Sequence, residues 1–178
     1  ITTRLVGSEM CIRDRGKGRF LREIPISQLG EDKQEEMSKN LERYSLYEAY
    51  EVRQVLETKA MDLIVRNATD SDLDEIETAY QTMLLRFAET NTTTGEFELH
   101  QLYAKKTGSV FMEQTLNIVL STILEMMHTT SHNVMDMHQV EEEKADHRRI
   151  IDALHKRDSS AAQQAMYDHI QHTLDILQ

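Results

Sequence analysis

From Tyr44 onward the sequence repeats apolar side chains at the 3.6-residue spacing of a helix face and meets almost nothing that would break it. One proline and six glycines in 178 residues leave little material for turn-rich sheets. Leu, Met, Ala, Glu, Gln and Lys instead favour long helices. The expected fold is all-α, an antiparallel bundle of about six to seven helices joined by short loops.

The first bundle helix is read through Ala49, Val52, Leu56, Ala60 and Leu63. Thr69 is an N-cap, and Asp70 and Asp72 suit the first turn of a second helix with the stripe Leu73, Ile76, Tyr80, Met83, Leu84 and Phe87. The polar run TNTTTG at 90–95 ends it. A third helix is expected from about Glu96 to Lys106, stopped by Gly108. The fourth and most apolar turns Met112, Leu116, Val119, Leu120, Ile123 and Met127 inward. A fifth runs from about Asp136 to Arg157 with Val140, His147, Ile151 and Leu154. A sixth follows Asp158 with Ala162, Ala165, His169 and Ile176. The methionines, Met112, Met126 and Met127 among them, are read as packing residues.

Before residue 44 the chain changes character. ITTRLVGSEMCIRDR, residues 1–15, has neither helical nor strand periodicity and resembles translated sequencing-adapter DNA. It is read as a non-native scar, with no function for Cys11. Residues 16–22 carry two glycines and Arg19-Phe20-Leu21, which could begin a short strand. Residues 23–43, polar and broken by Pro25 and Gly30, read as a linker carrying a short helix. Residues 44–178 form the helical domain.

Charge narrows the partners. The formal charge is −11, and basic residues are concentrated in residues 1–22, so the helical body is more acidic still. Such a body repels phosphates and is a poor nucleic-acid surface. No apolar run approaches the roughly 18 residues of a membrane span, and no secretory h-region opens the chain. With a single cysteine this predicts a cytoplasmic setting. Phosphate-cradling Gly-rich loops, Cys-x-x-Cys pairs, nucleophile elbows and 20-to-50-residue repeats are all missing from the sequence.

The residues that could carry chemistry are His100, His147 and His169, each standing where the helical period calls for an apolar side chain. Glu96 lies four residues before His100, so both point from one face, a spacing that suits joint chelation. Imidazoles with a carboxylate suit Zn, Ni, Mn or Fe(II). Each residue also has a structural reading: the histidines as hydrogen-bonded core groups, and Glu96 as the acid of a capping box in Thr93-Thr94-Gly95-Glu96. His128 and His132, also four apart, lack a neighbouring carboxylate and read as a surface pair. His138, His155 and His172 fall off the main stripes. Arg53, close to the inward face of the first helix, either pairs with Glu57 one turn on or grips a ligand carboxylate with its two-donor fork.

The run YSLYEAYEVRQVLETKAMDLIVRNA followed by TDSDLDEI resembles the opening of the FCD domain in FadR-type regulators of the GntR family. Glu96-Phe97-Glu98-Leu99-His100 matches that family's acid and histidine, where the acid is usually Asp. Asp146-His147-Arg148-Arg149-Ile150-Ile151-Asp152-Ala153-Leu154 echoes its E-x-H-x-x-I-x-x-A-I element. Ala162-Gln163-Gln164-Ala165-Met166-Tyr167-Asp168-His169-Ile170 fits its A-x-x-A-M-x-x-H-I element. Gly16–Arg22 resembles the close of the winged helix-turn-helix domain that precedes the sensor.

The resemblance implies an effector-sensing domain, not an enzyme. Its divalent metal would be held by Glu96, His100, His147 and His169, and a small carboxylate effector would be gripped by Arg53. It further implies a homodimer that touches DNA only through the missing N-terminal domain, and no membrane partner. Two other classes stay open on the residues alone. One is a metal-dependent hydrolase, for which Glu98 and Asp146, both expected to face solvent, are the available bases. The other is a metal-free helical interaction module.

Overall fold

The computed structural model describes the backbone of residues 4–6, 9–11, 31–90, 95–130 and 137–177, and the side chains of 44–89, 95–127 and 140–177. The chain divides into two compact units, 1–41 and 42–178. The expected strand remnant at Gly16–Arg22 and residues 23–30 lie outside the described residues, as do the side chains of His128, His132 and His138.

In the first unit, β1 (Arg4–Val6) and β2 (Glu9–Cys11) pair antiparallel, with Leu5 opposite Met10. The sequence reading expected no strand here. Three residues are too few to display alternation, and the Gly7-Ser8 pair between the strands, a two-residue hairpin signal, went unread.

Helix α1 (Glu31–Asn67) is 37 residues long and takes up residues 31–43 of the expected linker. That stretch, EDKQEEMSKNLER, is rich in strong helix formers but has no apolar stripe, so propensity rather than periodicity marks it. There follow α2 (Asp70–Thr90), α3 (Glu96–Lys106), α4 (Val110–Thr130), α5 (Met137–His155) and α6 (Ser159–Leu177). Six helices stand among the described residues, in the all-α bundle expected.

The helix ends follow local chemistry. Thr69 and Asp72 cap α2 reciprocally: Asp72 N donates to Thr69 Oγ1 at 3.2 Å and Thr69 N to Asp72 Oδ2 at 2.8 Å. At the end of α5, Arg157 adopts φ 55°, and the amides of Arg157 and Asp158 return to Leu154 O and Ala153 O at 2.9 and 3.0 Å. Asp158 then caps α6 through Ala161 N at 3.0 Å. This turn brings α5 and α6 side by side.

In the second unit α5 packs along α6, α3 against α4, and α2 against both α3 and α5. Met61, Ile64, Ile76, Met83, Leu99, Leu116, Ile123, Ile150 and Ile170 are almost fully buried. Each contributes about 1.5–3 kcal/mol by leaving water. The stripes expected for α2, α4 and α5 face the core as read, but Val52 is 50% exposed and Ile176 61%. The buried line of α1 runs instead through Leu46, Tyr50, Arg53, Gln54, Glu57, Ala60, Met61 and Ile64. Polar residues on it masked the apolar period.

Candidate metal centre

Gly95 opens α3 with φ 109°, a left-handed conformation that a Cβ would strain. The N-cap position is Gly95, which has no side chain to cap with, and the threonines of the capping-box alternative lie outside the described residues. Glu96 Oε1 accepts from Arg53 Nη2 at 3.2 Å and lies 3.6 Å from His100 Nε2, one turn along the same helix.

His100 is fully buried and joined through Nδ1 to Glu57 Oε2 on α1. A carboxylate at Nδ1 favours the proton there and leaves the Nε2 lone pair free. That Nε2 stands 3.2 Å from His169 Nε2. His147, on α5, completes the group: its ring centroid is 5.1 Å from that of His100 and 4.5 Å from that of His169. Neither ring nitrogen of His147 has a hydrogen-bond partner. One donor atom each from Glu96, His100, His147 and His169 falls within 4.8 Å of every other.

Burial sets the protonation of the group. It holds His100 well below the ordinary histidine value, helped by the charges of Arg53 and His169, and holds His147 well below for the same reasons. Both are neutral imidazoles at neutral pH, the form that donates a lone pair. For His169 burial pulls down, but Glu143, Asp146 and Glu96 outweigh it and the ring is held above its ordinary value. Glu96 is kept below the usual carboxylate range because Arg53 and the two histidines overcome its burial.

Arg53 is 1% exposed. Its Nε donates to Glu57 Oε1 at 2.7 Å, and its guanidinium lies 5.2 Å from the Tyr50 ring centroid and 5.4 Å from that of Phe97. Both carboxylates outweigh its burial and hold it charged. The internal pair with Glu57 is therefore real, with Glu96 as a second partner.

Sequence reasoning missed Glu143 and misplaced Asp146. Glu143 is buried, with Oε2 lying 3.4 Å from His169 Nδ1 and 3.7 Å from His147 Nε2. Burial, against the pull of His169, lifts it to about 7. The available signal was its spacing: Glu143 precedes His147 by four residues as Glu96 precedes His100. Asp146, expected at the surface, is 2% exposed because it turns inward to accept from the His172 ring at 2.8 Å. Glu98 does face solvent, paired with Arg86 at 2.9 Å and turned away from the cluster. His155 and His172 are partly exposed, as their positions off the stripes predict.

The family model of the FCD domain matches residues 48–172. The chain belongs to the FCD domain family. A curated relative, the HTH-type transcriptional regulator LutR of Bacillus subtilis (strain 168), is 24% identical over 168 residues, covering 92% of this chain and 75% of LutR. The solved structure of a Streptococcus agalactiae GntR protein superposes with TM-score 0.64 at 19% identity, covering 93% of this chain and 74% of that one. E. coli McbR/YncC gives TM-score 0.62 at 14% identity, covering 73% and 62%. The FCD region of this chain contains the whole buried cluster. Among the described residues no helix is long and apolar enough to cross a membrane.

Proposed function

We propose that the domain senses a small organic acid through a divalent cation held by Glu96, His100, His147 and His169. The supporting observation is the convergence of four buried donors from three helices, among them His147, neither of whose ring nitrogens has a hydrogen-bond partner among the described residues. Two atoms each about 2.1 Å from one ion lie at most about 4.2 Å apart. The pairs His100–His169 at 3.2 Å, Glu96–His100 at 3.6 Å and Glu96–His169 at 3.9 Å fall inside that limit. Without a cation, each orphaned buried nitrogen costs about 1–3 kcal/mol.

When bound, a cation supplies a Lewis-acid position for an effector carboxylate. The chain's residues do the rest. Glu57 orients His100. Arg53 balances Glu57 and Glu96 and, in this reading, turns its fork to the effector's carboxylate as Glu96 commits to the cation. Glu96, His100, His147 and His169 are all buried beneath the packed helices. Effector entry therefore couples to helix displacement, the two-state response a sensor needs. In the complete regulator the domain would pair as a homodimer in the cytoplasm and set the spacing of winged-helix domains preceding it, whose close is residues 16–22.

Elemental analysis of the purified protein tests the cation, with a full equivalent expected. Single His100→Ala, His147→Ala and His169→Ala variants should each lose it or bind it far more weakly. Calorimetry of the loaded protein against hydroxy-acids, keto-acids and sugar acids tests the effector. Metal-free protein, or silence across the acids, would overturn the corresponding half.

A further inference from the structure

We propose that Glu143 is a fifth protein ligand of the same site, making the donor set two carboxylates and three imidazoles. The inference rests on reading the cluster as a cation site. It comes from a duplication in the structure. Glu96 and His100 stand four apart on α3, and Glu143 and His147 stand four apart on α5. The carboxylate-to-Nε2 distances are 3.6 and 3.7 Å, and both glutamates are 6% exposed. The two helices present matching acid–imidazole pairs on either edge of the His169 ring, with Glu96 Oε1 3.9 Å from its Nε2 and Glu143 Oε2 3.4 Å from its Nδ1.

The two acids differ in how they are compensated. Glu96 accepts a hydrogen bond from Arg53, whereas Glu143 Oε2 is buried with no hydrogen-bond partner. A carboxylate oxygen with no hydrogen bond in a protein interior is costly; His169 Nδ1 at 3.4 Å offsets part of that cost, and a cation among the three imidazoles would offset the rest. Its neighbours Glu141 and Glu142 are exposed, so the helix turns just one acid of the run inward. Four protein donors would satisfy tetrahedral Zn; a fifth, from oxygen, suits an ion that takes five or six ligands, such as Mn(II) or Fe(II). An incoming effector acid must then take a remaining position or displace Glu143.

The test uses the full chain, stripped of metal, titrated with Mn(II), Zn(II) and Co(II) in wild-type, Glu143→Gln, Glu143→Asp and His147→Ala forms. Glu143→Gln should lose about a hundredfold in Mn(II) affinity and about tenfold or less for Zn(II). Its Co(II) visible bands should gain intensity as coordination falls toward four, with Glu143→Asp between it and wild type. The apo melting temperature of each variant reports folding separately. If Glu143 merely orients His169, all three ions weaken alike and the Co(II) spectrum keeps its shape, which overturns the inference. So does unchanged affinity in Glu143→Gln while His147→Ala loses metal. If the wild type itself binds no ion, the cation reading falls first and this inference with it.

Discussion

Glu57 and His100 are joined across α1 and α3 by a hydrogen bond between Oε2 and Nδ1, which turns the other ring nitrogen of His100 toward His169. Glu57 thereby does two jobs at once, since its Oε1 also holds Arg53 at 2.7 Å. One carboxylate sets a histidine tautomer and neutralises a buried cation. Glu57→Gln keeps the shape but loses the charge, so metal affinity should fall about 10–100-fold. A competition titration against a chelator measures this; affinity equal to wild type would remove Glu57 from any orienting role.

Arg53 faces two carboxylates and two aromatic rings with 1% of its surface exposed. Removing it leaves two buried acids uncompensated, and Arg53→Ala should cost about 3–5 kcal/mol in chemical denaturation. Arg53→Lys is the more informative change, because an ammonium cannot span Glu57 and Glu96 together. If Arg53 also grips effector, calorimetric affinity of the folded, metal-loaded Lys variant should fall. Lowered stability with unchanged affinity would confine Arg53 to a structural task.

Gly95 places Glu96 at the first turn of α3. At φ 109° an alanine Cβ is strained, and it would meet Arg86 Cδ at 3.2 Å. Gly95→Ala should cost about 1–2 kcal/mol of stability. Because the chain would relax at the residue next to Glu96, metal affinity should drop as well. Thermal melts with and without metal separate the two effects, and a variant as stable as wild type would show that the turn tolerates a side chain.

Arg148 on α5 meets both oxygens of Glu77 on α2, each at 2.8 Å, and lies 5.4 Å from the Tyr80 ring centroid. The hydrogen bonds from Arg148 outweigh partial burial and hold Glu77 below its ordinary value of 4.5. A carboxylate lowered by folding stabilises fully above that value and loses its contribution as pH falls through the folded one. Both side chains are about a third exposed, so solvent screening limits the coupling to about 0.5–1 kcal/mol near neutral pH. A double-mutant cycle with Glu77→Gln and Arg148→Met should give that coupling at neutral pH and progressively less well below pH 4. A coupling that grows on acidification would contradict the sign.

The inward placement of His100, His147 and His169 was legible because each interrupts an otherwise apolar stripe. The stripe of α1 was not, since Arg53, Gln54 and Glu57 occupy its buried face and leave Val52 and Val55 outside. Glu143 was hidden for a related reason. In a run of three acids composition reads as solvated, and only the helical phase, fixed by Val140 and His147 on either side, shows which one turns inward. Distances such as the 3.2 Å between His100 and His169 arise from how α3 settles against α6, and no local pattern encodes them. The first turns of α1 lacked a stripe altogether, so only helix propensity marked them.

Glu96, His100, His147 and His169 are 6, 0, 0 and 1% exposed. No chelator can touch a group so enclosed while the helices stay packed. Exchange of a bound ion with solution must then wait for α3, α5 and α6 to part, and its rate becomes a property of that opening rather than of the coordination bonds. Raising the chelator concentration should leave the release rate at a plateau, while mild denaturant should raise it. An ion held this way would stay through many cycles of effector binding, provided those cycles never unseat the helices completely.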